Sequence, residues 1–434
     1  MRQALLIPIV GLMCLIAPFQ PIIGLYGYIW FALMRPDVLA FSSKPYSMAL
    51  AVTTLLGSLR YFFKVHLLFR SPIGLGLVLL QIPIFASVLF AQDRALTYEQ
   101  YTQYIHMMVM AFLIPIFIES VAQLRWLIFV MAFSLGFLGS KWGVYGVIHG
   151  GVRFSQGFGG LLADNNAFAL ALVMAVPFCW YSRELAKGFW NKAMFLGMTA
   201  ATLPAIVMTF SRGAALALAA VMLLIGFRAK KKTGFLLLAL FALGGAIFMV
   251  RAAYLDRLAT VQVSPAESSA RLRLIYTKVA YRMWKDHPLF GVGFGTLNEM
   301  ALMGKYTELS NTHGAQVIHN TYLQMLCDSG IFAFGLYMTI LFGGILWLQG
   351  SIRRMNKGHP HLAIYPLAIQ TSLVGFAIGG TFLSRVEFDL TYIVLLAAAS
   401  WYNIEKRLPA AVDAEEVEPE QSKWAKPHPA VLQV

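Results

Sequence analysis

Apolar runs about as long as a bilayer is thick recur from one end of this 434-residue chain to the other. A helix needs roughly 20 apolar residues to cross a hydrocarbon core of about 30 Å. Ser71–Phe90, Ala163–Tyr181, Ala193–Thr209, Ala214–Phe227, Gly234–Val250, Ile331–Leu348 and Leu362–Phe382 approach or reach that length. Inside hydrocarbon a single spanning segment has to bond its own backbone amides, which makes each such run a helix. With the shorter runs included, the pattern predicts an all-α polytopic membrane protein of about 12 or 13 spans. Charged residues are only 12% of the chain against 59% apolar, which leaves no room for a conventional soluble enzyme.

The net charge of +14 follows topology rather than a nucleic-acid surface. Arg60, Lys64 and Arg70 share one short loop, and Arg183, Lys187 and Lys192 a second. Arg228 and Lys230–Lys232 form a third cluster, and Arg353, Arg354 and Lys357 a fourth. Alternate loops are poor in basic residues, so the four clusters are assigned to the cytoplasm. Residues 1–250 then form an amino-terminal set of spans, and 251–319 a polar segment on the outer side. Residues 320–404 form a second set of spans, and 405–434 a cytoplasmic tail, rich in Glu and Pro, that is expected to be disordered. The apolar segment after Arg2 continues through Pro18 and Pro21 without a small-residue cleavage site, and reads as structure rather than a leader. Cys14, Cys179 and Cys327 have no metal or redox spacing and are expected as buried small hydrophobes.

Chemistry in such a chain is expected where polar sequence meets the membrane surface. Ser264-Pro-Ala-Glu267 reads as a helix start, and His287-Pro288 as its stop, which predicts a helix to Asp286. At about 100° per residue, Arg271, Lys278, Arg282 and Lys285 share a solvated or headgroup-facing stripe. Arg273 lies on the other side, with Tyr276, Thr277, Ala280 and Trp284. It is either a snorkelling or core-paired arginine or a ligand-binding one. Arg212 follows Ser211, a cap for the next span, whose amide end would then face outward with an arginine beside it. His319 stands just before re-entry into the membrane, and His313 is a competing base from the same segment. Asp164-Asn165-Asn166 opens another span on the outer side. Arg385-Val-Glu387-Phe-Asp389 is a polar turn between the last two spans, read as an internal salt bridge rather than a metal site. Gly291-Val-Gly-Phe-Gly295 follows a helix and its third glycine comes too early for a dinucleotide fingerprint.

Two guanidiniums suit a pyrophosphate leaving group, and a neutral imidazole suits deprotonation of an incoming hydroxyl. A sugar already carried on pyrophosphate needs no carboxylic acid to protonate its leaving group, in contrast to a glycosidase substrate.

These motifs resemble the bacterial O-antigen ligase and polymerase superfamily. Ser269-Ala-Arg-Leu-Arg273 with Lys285-Asp-His-Pro-Leu-Phe-Gly-Val-Gly-Phe-Gly295 is similar to the family's periplasmic helix and its closing signature. His319-Asn-Thr-Tyr-Leu-Gln-Met-Leu-Cys-Asp-Ser-Gly330 and Ser211-Arg-Gly213 resemble two further motifs, in the family's order. Within the superfamily, Asp164-Asn-Asn-Ala-Phe-Ala-Leu170 and Pro21-Ile-Ile-Gly…Trp30…Met34-Arg-Pro resemble the O-glycosylation ligase branch that accompanies exosortase systems. His319-Asn-Thr-Tyr322 keeps the general-ligase pattern.

The resemblance implies transfer of a glycan from undecaprenyl pyrophosphate to an acceptor hydroxyl on lipid A core or protein. The reaction would take place at the outer face of the bacterial inner membrane, without metal or cofactor. By motif, Arg212 and Arg273 would hold the pyrophosphate and His319 would be the base. Arg271, Asp164, Asn165, Asn320, Tyr322 and His313 complete the candidates for substrate contact. A polymerase of the same superfamily is the near alternative, and a lipid-linked-sugar flippase the distant one. The latter is disfavoured by the lack of internal repeats and of charges deep in the spans. A metal-dependent oligosaccharyltransferase is disfavoured because Asp37 is the lone carboxylate of the first outer loop.

Overall fold

The computed structural model describes residues 2–42, 44–152, 154, 156, 157, 162–229, 265–296, 306 and 318–409, with backbone alone at 2 and 265–274. Its longer helices are α1 (Arg2–Ile16), α2 (Pro21–Met34), α3 (Tyr46–Ser58), α4 (Pro72–Leu89), α5 (Arg94–Phe117), α6 (Val121–Ile148) and α7 (Asn165–Leu185). They continue as α8 (Phe189–Met208), α9 (Arg212–Arg228), α10 (Pro265–Asp286), α11 (Thr321–Gly358), α12 (Ile364–Gly379) and α13 (Asp389–Glu405). Among the described residues there is no β-strand beyond one isolated bridge, Gln156 to Asp164. Among the described residues, five helical stretches are individually long and apolar enough to cross a membrane: Pro72–Leu89, Val121–Ile148, Asn165–Leu185, Thr321–Gly358 and Pro360–Phe382. The chain is an all-α, multi-pass membrane protein. The expected span Gly234–Val250 and the tail from 410 lie outside the described residues.

Side-chain caps start several of these helices. Asp93 Oδ1 accepts from the Leu96 amide at 3.0 Å, and Ser120 with Gln123 makes a reciprocal capping box at the start of α6. α10 begins at Pro265 and ends at Asp286, as the proline signals dictate. α7 is apolar all round and buried along nearly its whole length, from Ala167 to Ser182. Such a helix belongs inside a bundle, and α6, α8, α9 and α12 surround it. α13 is the second buried post, packed between α5 and α12. Cys179 and Cys327 are buried and Cys14 is half-buried, all three as free thiols.

The basic clusters converge at one end. Glu119 pairs with both Lys64 and Arg407, and Glu405 with Arg354. Arg228 donates to Gln349 and Gln370, each at 2.8 Å. Glu184, Arg228 and Arg353 line one cavity of about 550 Å³ at that end. The candidate residues occupy the opposite end.

Candidate functional site

The short turn between α12 and α13 gathers the sequence motifs. Asn320 caps α11, its Oδ1 accepting from the amides of Tyr322 at 2.9 Å and Leu323 at 3.0 Å. Its own amide donates to Ser384 Oγ at 3.2 Å. One residue along, Thr321 donates to the Leu383 carbonyl and accepts from the Arg385 amide at 3.2 Å. Gln324 accepts from the Val386 amide at 3.1 Å and donates to Glu387 at 3.4 Å. The start of α11 is thus sewn to residues 383–387. His319, half-buried and immediately before the cap, is held at φ +54°. An ordinary residue pays about 1–2 kcal/mol for that left-handed conformation. A non-glycine residue kept there is over-determined by its surroundings, a condition that clusters at functional sites.

The same turn reaches the other motifs. Arg385 pairs with Glu387 at 3.4 Å, as expected, and also approaches Asp164 at 3.9 Å. Asp164 caps α7, accepting from the Ala167 amide at 2.9 Å. Beside it, Asn165 Nδ2 donates to the Thr209 carbonyl at 2.9 Å, tying the start of α7 to the α8–α9 turn. That turn carries Phe210 at φ +55° and Ser211, which caps α9 through the Ala214 amide. Gly213 packs so closely on Phe382 that a Cβ would sit 2.5 Å from the Phe382 Cβ. Arg212, the first residue of α9, is therefore next to the α12–α13 turn with its side chain exposed.

α10 is held to α11 by a glycine-rich wrap. Gly330 breaks α11 with φ +78° and ψ −176°. The backbone of Leu289 and Phe290 fills the space beside it, where a Cβ would come within 2.0 Å of the Leu289 oxygen. From there the chain winds about Asp328, which is fully buried. Val292 N donates to the Cys327 carbonyl at 2.8 Å, Gly293 N to the Asp328 carbonyl at 3.0 Å, and Gly295 N to Asp328 Oδ2 at 3.1 Å. The Gly291–Gly295 pattern is thus a structural clasp.

Two contacts set the direction of α10. Ile331 N bonds the Pro288 carbonyl at 3.0 Å, and Cys327 Sγ bonds the Ala280 carbonyl at 3.0 Å. Stepping back along α10 therefore runs toward the His319 end of α11, and Tyr276 and Ile318 share a buried cluster.

Tyr276, Val279, Ala280 and Met283 form the buried face, while Lys278, Arg282 and Lys285 are exposed as the stripe predicts. Thr277 is exposed and Trp284 only half-buried, so the apolar face is rotated from the one expected. Position 273 is about 70° from the centre of the buried face and position 271 about 130° away.

Residues 197–338 match the family model described as O-antigen ligase. This match over residues 197–338 supports an O-antigen ligase-like superfamily for the chain. Residues 1–184 match a second model, a family of unknown function, DUF5935. A search of curated proteins returned no relative of this chain.

The ligase domain holds Arg212, α10, His319 and the clasp, whereas Asp164 and Asn165 belong to the segment matched by the second family. Asn320 is a cap, and Tyr322 anchors its hydroxyl on the Ala377 carbonyl, so both hold the site's shape. Arg271 and Arg273 are placed by backbone register on α10. His313 lies outside the described residues. The sequence undervalues Ser384 and Arg385, whose signal is a polar turn confined between two spans, and Gln324, a polar residue at the start of α11.

The cap makes a direct prediction. Asn320→Ala loses two amide contacts and should cost about 1 kcal/mol, lowering the melting temperature in detergent. Asn320→Ser, which also caps, should recover most of it. Equal melting of the Ala and wild-type proteins would contradict the assignment.

Proposed function

We propose that the protein transfers a glycan from undecaprenyl pyrophosphate to an acceptor hydroxyl at the outer face of the bacterial inner membrane. The observation that carries this reading is the convergence on one turn of the His319–Asn320 cap, the Ser211-Arg212 turn and Asp164, at the end opposite the basic clusters. With the basic end cytoplasmic, the site faces outward, where lipid-linked glycans are consumed.

In this reading Arg212, beside the amide end of α9, and Arg273, on the α10 turn that runs toward His319, hold the pyrophosphate. Their planar forks and the helix dipole stabilise charge as it builds on the leaving group. His319, neutral, takes the acceptor proton while the acceptor oxygen forms the new bond to the anomeric carbon and the bond to pyrophosphate breaks. Charge on the departing pyrophosphate is met by guanidinium, so no metal ion is needed.

Lysine in place of either arginine keeps the charge and loses the bidentate fork. Arg273→Lys and Arg212→Lys should each slow release of undecaprenyl pyrophosphate by about tenfold or more, the worth of one charge-assisted contact. Release would be followed with radiolabelled donor and acceptor present, with and without a chelator. Full activity in both variants, or loss of activity on chelation, would contradict the proposal.

A further inference from the structure

A cavity of about 250 Å³ adjoins this turn on the side of the amino-terminal helices. Tyr28 of α2, Arg35, Asp37, Ser47 of α3, Phe388 and Asp389 form about half of its wall, and apolar side chains the rest. Leu162 completes one side, two residues before Asp164, and Phe388 lies three residues past Arg385, so the cavity flanks the Asp164–Arg385 contact. It is not an apolar lipid crevice. Arg35 is fixed at φ +50°, with Nε and Nη2 bonded to the two oxygens of Asp37 at 3.1 and 3.0 Å. The half-buried Asp389 carboxylate stands near Arg35, Glu387 and Tyr28.

The chemistry of the lining selects a class of ligand. Arg35 is already paired with Asp37, so the wall offers a phosphate or uronate no uncompensated cation, and the pyrophosphate is placed outside this cavity. Planar carboxylate and guanidinium groups are suited to ring hydroxyls, and the rings of Tyr28, Phe31 and Phe388 to an apolar C–H face. The volume is below that of the usual small-molecule pocket, room for about one sugar ring.

We propose that the cavity is a subsite for a single neutral or amino-bearing sugar, adjoining the transfer site. The proposal deepens the glycosyl-transfer reading and rests on it. It also gives the segment of residues 1–184 a role, because that segment supplies most of the wall, and Phe388 with the start of α13 the rest.

Saturation-transfer NMR on the full-length protein in detergent, with galactose, N-acetylglucosamine, glucosamine and glucuronic acid as separate probes, tests it. At least one of the first three should be saturated, and glucuronic acid should not. Asp389→Asn should weaken that binding up to about tenfold, the worth of one hydrogen bond, and Ala32→Trp, which fills the cavity, should abolish it. Melting and elution show that each variant is folded.

No sugar signal in the wild type, a preference for the uronate, or signals unchanged in the folded variants would overturn the subsite. Sugar binding by a wild type that performs no transfer would sink the transfer reading and leave the subsite standing. Unchanged transfer by Ala32→Trp would do the reverse.

Discussion

His319→Asn is expected to remain folded in the membrane and to lose glycan transfer by about 10²–10⁴-fold, the usual worth of a positioned general base. Asparagine is the informative replacement because the residue sits at φ +54°. Asparagine tolerates the left-handed region, whereas alanine adds a backbone cost of about 1 kcal/mol and confuses chemistry with folding. An unchanged melting temperature in His319→Asn, with transfer gone, separates the two. A folded His319→Asn protein that still transfers at the wild-type rate would remove the histidine from the mechanism and leave it as a strained hinge of the α11 cap.

Gly330→Val should be the most destabilising single change at this end of the bundle. Its φ of +78° is closed to a β-branched residue without strain, and a Cβ would meet Leu289 O at 2.0 Å and Phe290 N at 2.6 Å. Both are backbone atoms that cannot rotate aside. A loss of about 3 kcal/mol or more is expected, read as a large fall in melting temperature. The effect should be local as well as global, because the clasp that passes Gly330 docks α10 on α11. Cys327, buried against the Ala280 carbonyl, then becomes accessible to a maleimide, while Cys179, buried against the Ala132 carbonyl, stays protected. Equal labelling of Cys327 in wild type and variant would show that the clasp does not hold α10.

Much of this arrangement was legible in the residues because it rests on local rules. Proline at positions 265 and 288 bounds α10, Ser211 caps α9, Asp164 opens α7, and the spread of arginine and lysine marks one end of the bundle. What was not legible depends on contacts far apart in sequence. The break at Gly330 lies at the edge of an apolar run that reads as an uninterrupted span, and only the incoming Leu289 backbone explains it. Arg385 looked self-contained with Glu387, yet it also reaches Asp164, more than two hundred residues away. The buried face of α10 turned away from Thr277 because Val279 and Met283 meet Ile318 and Cys327, partners that a helical wheel does not contain. The sugar-sized cavity was invisible for the same reason, since Arg35 and Asp389 come from opposite ends of the chain.

The central claim is glycosyl transfer by this end of the bundle, and a single incubation tests it most directly. Purified protein is mixed with an undecaprenyl-pyrophosphate glycan and three acceptors together, lipid A core, a second lipid-linked glycan and a protein, and each acceptor is weighed by mass spectrometry. Added glycan mass on one acceptor class, absent with His319→Asn, is the predicted result and names the acceptor. An intact donor with all three acceptors unmodified, from a folded preparation, would contradict transfer.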